Sequence, residues 1–281
     1  MALYTKPRWT ESETEWLIEN YPLLGSKFCA FHLEKSGVAI RAKARALGLK
    51  ADLINLGNRR SQSLKGRSRP EISGVDIDQF YLDFNPYSSY FLGFLWADGY
   101  LYNNNFLLEN TKEDLDSLAY IFNHLGTFTT TERTRDGRKP QKRIQFSSQK
   151  LFKILQEWDY VIKSSASADK ILSHIPRELH KYWFMGLIDG DGCFYFNAKN
   201  KCRQFTMSSN YDQDWNYFEV LCQELGIKYF IQRTKKKNGN QSSSLRFFGK
   251  GPITKLGNYL YTDSLFNGLP RKHQKYLDII N

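Results

Sequence analysis

The sequence predicts an α+β protein made of two equivalent halves behind a small module of three short helices. Three observations predict it. An apolar segment ending in Asp-Gly occurs twice, with Asp98 and Asp191 separated by 93 positions. Each copy is followed by the same order of hairpin, helix, hairpin and helix signals. The first 50 residues carry helix caps and helical spacing. The chain then divides into a helical module (1–50), a connector (51–85), a first half (86–178) and a second half (179–281).

The module opens on Thr10 and Glu13, which fit a Ser/Thr-x-x-Glu capping box. Trp16, Leu17 and Tyr21 follow on a helix expected to stop near Pro22, and a second apolar stretch runs 23–33. Ser36 caps a third helix that Gly48 ends. Ile40, Ala44 and Leu47 share one face of it, and Arg41 and Arg45 another, with Lys43 adding to the charge. Three short helices with a basic third match a helix-turn-helix, and the same pattern suits a protein-docking bundle. The run RWTESETEWLIENYPLLG…AIRAKARALGLK resembles Myb-related helix-turn-helix units, which implies DNA binding by this module.

The connector holds Arg59, Arg60, Lys65, Arg67 and Arg69 with no acid between Gly57 and Pro70. It reads equally as a solvated linker or as a basic arm lying along phosphates or in a minor groove.

The duplication is extensive. YFLGFLWADGYLY (90–102) matches YWFMGLIDGDGCFYF (182–196) through Gly93/Gly186, Asp98/Asp191 and Gly99/Gly192. LAYIFNHLGTFTTTERT (118–134) parallels FEVLCQELGIKYFIQRT (218–234), and RIQFSS (143–148) parallels SLRFFG (244–249). Hairpin turns are predicted at Asn103–Asn105 and Asp136-Gly137, then at Lys199–Lys201 and Asn238–Asn240.

The segments before the two acids, 91–97 and 184–190, are apolar nearly all round and must be buried. Gly93 and Ala97, like Gly186 and Gly190, place small residues four apart, so two helix backbones can approach closely. Pairing the copies across a pseudo-twofold axis brings Asp98 and Asp191 together at two helix C-termini. Two carboxylates there repel each other and the negative dipole end unless a cation compensates. Hard oxygen ligands favour Mg²⁺, and metals beside carboxylates suit phosphodiester hydrolysis. A single Asp-Gly reads more simply as a helix-ending turn; two at matching positions favour the metal site.

FLGFLWADG and FMGLIDGDG resemble the two LAGLIDADG motifs of single-chain homing endonucleases, and the resemblance covers about residues 86–281. It implies two αββαββα halves whose four-stranded antiparallel sheets form a saddle over DNA. It assigns Asp98 and Asp191 to the metal ions, with the preceding residues Ala97 and Gly190 in the same metal set. The earlier acid of the motif is Asp189 in the second copy but Trp96 in the first, a position that varies in the family. The family also places a basic residue near each centre, often a lysine before the last helix of each half. Lys163 in VIKSS and Lys272 in LPRKHQKY fit, and would stabilise charge on phosphate or hold the attacking water. In a basic chain each reads equally as a surface lysine. Gln145 and Arg246 occupy equivalent repeat positions on later strands and would position water or phosphate.

Strand alternation suggests a DNA face of Tyr100, Tyr102, Thr129, Thr131, Arg133 and Arg135 in the first half. In the second it suggests Phe194, Phe196, Arg203, Thr206, Ser208, Arg233, Lys235 and Lys237.

Composition agrees with this. The chain carries a net charge of +11, which points to a polyanionic partner, although ribosomal, membrane-surface and heparin binders share that property. Hydrophobic residues at 41% and aromatics at 15% suffice for a core. No apolar run reaches about 18 residues, and Met1–Thr10 lacks a signal core, so neither a membrane span nor secretion is expected. Cys29, Cys193, Cys202 and Cys222 form no Cys-x-x-Cys and the five histidines are scattered, which argues against structural zinc. Cys193 and Cys202 could meet across a hairpin, but free thiols in a reducing compartment are preferred.

The expectation is a monomeric Mg²⁺-dependent endonuclease in a bacterial, phage or organellar setting. It would hold two or three divalent ions, with Mn²⁺ substituting and Ca²⁺ supporting binding without cleavage. It would cut long asymmetric duplex sites to short 3′ overhangs and promote intron or mobile-element homing. No splicing block flanks the repeats, so an intein is not expected. The alternative is a fold that binds DNA or intron RNA without cutting, as a regulator or maturase; a protein-interaction module is disfavoured by the charge.

Overall fold

A computed structural model describes residues 9–51, 74–134, 136–137, 139–235, 239 and 241–281. The chain separates into two compact units, 1–70 and 71–281.

In the first unit, Thr10 caps α1 (Glu11–His32), and both arms of the predicted capping box form. The break falls at Gly25 (φ 69°), three residues beyond the expected Pro22. Pro22 is accommodated inside the helix, whereas Gly25 adopts a left-handed conformation that suits glycine. Ser36 caps α2 (Gly37–Ala46). Leu17, Cys29 and Ile40 form a small core with Trp9, Trp16, Leu33 and Leu47 packed around it. Arg41 and Arg45 are exposed, while the Lys43 ammonium lies 5.6 Å from the Trp9 ring centre.

The second unit begins earlier than the sequence suggested. Residues 74–85, expected in the connector, carry β1 (Gly74–Val75) and a 3₁₀ turn at Asp78–Phe80. Val75 and Phe80 are buried in the main core. Asn85 then caps α3 (Pro86–Asp98), accepting from the Tyr87 and Ser88 amides at 3.0 Å.

The first half continues with β2 (Gly99–Tyr102), β3 (Asn105–Thr111), α4 (Lys112–Ser117) and α5 (Ala119–Phe122). Next come β4 (Gly126–Thr127), which pairs with β1, then β5 (Thr129–Arg133) and β6 (Gln141–Ser147). Two helices close it, α6 (Gln149–Glu157) and α7 (Asp169–His174). The second half repeats the order: α8 (His180–Asp191), β7 (Gly192–Asn197), β8 (Cys202–Ser209), α9 (Asn216–Glu224), β9 (Phe230–Lys235) and β10 (Gln241–Phe248). It ends with α10 (Lys250–Tyr261) and α11 (Pro270–Ile280). Each half is therefore the predicted αββαββα with one further helix at its end, and in the first half the middle helix is split into α4 and α5.

The two four-stranded antiparallel sheets have matching orders, β2-β3-β6-β5 and β7-β8-β10-β9. Phe106, Phe146, Leu108 and Ile144 fill the inner face of one; Phe194, Phe205, Phe247 and Leu245 fill that of the other. The first predicted hairpin turn forms with Asn103 and Asn104 at positive φ. Lys201 and Gly137 serve the next predicted turns in the same conformation, while Asn238 and Asn240 lie outside the described residues. Cys193 and Cys202 do not meet: Cys193 pairs with Thr206 and Cys202 with Asn197. No helix among the described residues is long and apolar enough to cross a membrane.

Candidate functional site

The site is built on α3 packed against α8. A Cβ added to Gly93 would overlap the Trp183 carbonyl oxygen, and one added to Gly186 would overlap that of Tyr90. Tyr90 and Trp183 each lie three residues before the glycine of their own helix, so the contact is reciprocal about a pseudo-twofold axis. A Cβ on Gly190 would likewise overlap that of Ala97, and would stand 3.3 Å from Asp98 Oδ2. The predicted small-residue stripe thus sets the backbone approach, and it delivers the two acids to one place.

The acids are not equivalent. Asp98 Oδ2 accepts from Asn110 Nδ2 at 2.8 Å. Burial raises its carboxyl above the ordinary range, against the pull of the Lys163 and Lys272 ammoniums and of that hydrogen bond. Asp191 reaches solvent, but the protein crowded around it, and then the nearby Asp98 carboxylate, push its carboxyl up to about 6. Register makes Ser209 the counterpart of Asn110, and the Ser209 hydroxyl accepts from the Tyr211 amide instead. Asp191 lines a cavity of about 180 Å³ together with Lys163, Ser209, Gln213, Trp215 and Tyr217.

Both predicted lysines arrive at the helix ends. Lys163 Nζ donates to the carbonyls of Leu95 (3.0 Å), Trp96 (2.5 Å), Ala97 (3.1 Å) and Gly99 (2.7 Å). Lys272 Nζ donates to Ile188 (3.4 Å) and Gly192. Leu95/Ile188 and Gly99/Gly192 are equivalent pairs, so the lysines are equivalent too, each neutralising the negative end of its own half's motif helix. Burial lowers the Lys163 ammonium to about 8 and Lys272 below its ordinary value, and the surrounding carboxylates oppose both shifts.

Two converging carboxylates offer hard oxygen ligands of the kind a divalent cation takes. The Ala97 carbonyl already accepts from Lys163, so the carboxylates carry the fit. No cluster of three or more His, Cys, Asp or Glu occurs among the described residues.

Trp96 and Asp189 show where the halves diverge. Asp189 is fully buried, and its Oδ2 accepts from the Tyr90 hydroxyl (2.7 Å) and the Leu269 amide (2.7 Å). Burial pushes its carboxyl up to about 7, while those two donors pull it down. The equivalent contact in the other half is Trp96 against Trp183, with ring centres 6.2 Å apart. The same interface position thus holds a hydrogen bond on one side and an aromatic contact on the other, and Asp189 ties the helix pair together through Tyr90.

Cross-strand register defines the open face of each sheet. In the first half, Tyr100, Leu107, Gln145 and Thr129 form one row, followed by Glu109, Arg143 and Thr131, then Thr111, Gln141 and Arg133. In the second, Cys193, Thr206, Arg246 and Phe230 form the row matching the first, followed by Ser208, Ser244 and Gln232. Gln145 and Arg246 are therefore equivalent, as predicted. Tyr100 and Tyr102 stand on the open face and stack at 6.3 Å.

Several second-half expectations are corrected. Phe194 is buried on the inner face, and Arg203 lies over the Phe196 ring on that side, donating from Nε to the Ile279 carbonyl at 3.1 Å. Arg233 and Lys235 share the parity of Ile231 and Leu245, opposite to Arg246; Arg233 pairs with Asp212 at 2.7 Å. The cause is one extra residue: Thr129 lies three positions after Gly126, whereas Phe230 lies four after Gly226, yet both pair with the equivalent row. A one-residue slip reverses every later side chain, so Thr234, not Arg233, corresponds to Arg133. Sequence reasoning also missed Arg143, Gln204 and Tyr195, whose alternation with Ile144, Phe205 and Phe194 was the available signal, and Asn110, which shares the face of Leu108 and reaches Asp98 from there. Arg59, Arg60, Lys65, Arg67, Arg69, Arg135 and Lys237 lie outside the described residues.

No family model matches the chain, and no curated protein is similar enough to match. Three solved structures that it resembles are endonucleases. Meganuclease I-SmaMI bound to uncleaveable DNA is 18% identical, with 70% of this chain and 89% of that one covered and a TM-score of 0.41. LAGLIDADG homing endonuclease I-GzeII in complex with its DNA target is 14% identical, covering 69% and 88%, TM-score 0.40. I-DmoI in complex with DNA and Ca is 14% identical, covering 67% and 96%, TM-score 0.44.

Proposed function

We propose that the chain is a site-specific, metal-dependent DNA endonuclease of the LAGLIDADG type. It would act as a monomer, cut both strands to short 3′ overhangs, and promote homing of an intron or mobile element. The observation that carries this is the reciprocal Gly93–Gly186 packing, which brings Asp98 and Asp191 together between two equivalent lysines. Mg²⁺ at the two carboxylates would supply positive charge for phosphodiester hydrolysis, with Mn²⁺ able to replace it and Ca²⁺ supporting binding alone.

The protein's own groups do the rest. Asn110 orients Asp98. Lys163 and Lys272 hold the helix ends and offer cationic charge beside the scissile phosphates. Gln145 and Arg246 stand in the row that begins one residue after each motif glycine, where they would position phosphate or water. The open faces of the sheets would read base edges, through Arg133, Arg143 and Arg246 among others. Arg41 and Arg45 of the first unit would add major-groove or phosphate contacts, and the basic segment 59–69 would add charge along the backbone.

The direct test incubates the protein with a randomised duplex DNA library and Mg²⁺, then sequences the recovered ends. Defined sites with short 3′ overhangs support the reading. Selective binding with every duplex left intact rejects it in favour of a regulator, and binding of intron RNA with promoted splicing favours a maturase.

Two further results are expected. Mg²⁺ should raise the Tm at pH well above 6, and the increment should fade as pH falls through about 6, because the raised pKa of Asp191 lets a proton compete for the carboxylate. An increment unchanged across that window would take Asp191 out of the metal set. Deleting residues 1–70 should weaken DNA binding and flatten its salt dependence; the cut must stop there, since Val75 belongs to the second unit's core. An unaltered salt slope would mean that the module touches no phosphate.

A further inference from the structure

Each lysine at the site hangs from a segment that the opposite half grips. Arg271, the residue before Lys272, belongs to the second half, yet its guanidinium donates to a first-half carboxylate. Nε reaches Asp114 Oδ1 at 2.6 Å and Nη2 reaches Oδ2 at 2.7 Å. Lys163 belongs to the first half, yet its backbone carbonyl and that of Ala166 accept from Nε2 of second-half Gln213, at 3.2 and 2.7 Å. Gln213 is itself anchored, its backbone N–H donating to the Ser243 hydroxyl at 2.9 Å.

The two braces occupy corresponding places. Leu108 pairs with Gly99 and Met207 with Gly192, and Asp114 and Gln213 each lie six residues beyond that strand position. Both side chains are buried. A buried carboxylate is costly without a partner, so the paired guanidinium holds it in a directional, two-point contact. The chemistry differs between the sides, charged at Asp114 and neutral at Gln213, but the geometry has one consequence. Each lysine has its ammonium on its own half's motif helix and its backbone segment held by the other half.

We propose that Asp114 and Gln213 are positioning residues for the lysine of the opposite half, Lys272 and Lys163 respectively, so that each strand's cleavage centre is completed across the interface between halves. This rests on the endonuclease reading above. Neither residue touches DNA in this role; each acts by fixing where a lysine sits, and small displacements of a reacting group are expensive in rate.

The test uses the full chain, Mg²⁺ and a supercoiled plasmid carrying a site recovered from the randomised library, with end-labelled duplexes to separate the strands. Wild type should convert the plasmid to linear product. Asp114→Asn and Gln213→Ala should each accumulate nicked circle, slowing one strand by about 10- to 100-fold while the other stays near wild type. The two variants should slow opposite strands. A merely structural role would slow both strands together, and that result, or unchanged cutting, overturns the inference. Should Asp114→Asn fail to fold, Arg271→Gln breaks the same brace from its half-exposed partner and must show the same strand bias. A wild-type protein that binds the library but leaves every plasmid intact removes the endonuclease reading and this inference with it; wild-type cutting with equal slowing removes the inference alone.

Discussion

Asp98→Asn and Asp191→Asn each lower double-strand cleavage by more than about 10²-fold while DNA binding in Ca²⁺ persists. Asparagine keeps the shape of the side chain and removes the charge that a cation requires. At position 98 the amide oxygen can still accept from Asn110, so the local fold should survive. At position 191 the change relieves repulsion from the Asp98 carboxylate and also removes the attraction to the Lys163 and Lys272 ammoniums. Single-turnover cleavage and a binding isotherm, measured on the same protein, separate chemistry from recognition. Retained cutting of both strands by either variant would remove that residue from the metal site. Loss of binding in parallel would mean that the carboxylate shapes the DNA surface rather than the reaction.

The second large effect is on folding. Gly186→Val and Gly93→Val should each prevent α3 and α8 from packing, giving protein that is insoluble or lacks a cooperative melting transition. The added Cβ would fall on a backbone carbonyl of the facing helix, which cannot rotate aside as a side chain can. The penalty should therefore exceed the roughly 1–3 kcal/mol of ordinary overpacking. Gly251→Ala is the internal control: it sits in α10 with nothing within 4 Å of its added Cβ, and should stabilise by about 0.4–1 kcal/mol. Thermal melts compare the three directly. A well-folded Gly186→Val protein with a normal Tm would show that the helix pair can separate without loss of the fold.

Much of this was legible beforehand because it follows from short-range pattern. The duplicated Asp-Gly, the small residues four apart and the flanking turn signals are local, and they specify helix pairing and the convergence of Asp98 and Asp191. Lys163 and Lys272 were also found, although they stand 109 positions apart while the acids stand 93 apart. Their equivalence became visible only through the shared acceptors Gly99 and Gly192.

What the chain determined by itself was the pair of halves, the element order, the two acids and the caps at Thr10 and Ser36. The tertiary structure alone decided which strand residues face outward. One extra residue after Gly226 turns Arg233 and Lys235 to the opposite face, and packing against α11 draws Arg203 inward. It also decided that Asp189 bridges to Tyr90 and Leu269, that 74–85 joins the second unit, and that Asp114 and Gln213 brace the opposite half's lysine. The reason is common to all of these. Each depends on partners far away in sequence, and a period of two carries no mark of which residue begins the pairing, so only the assembled sheets and helices can set the register.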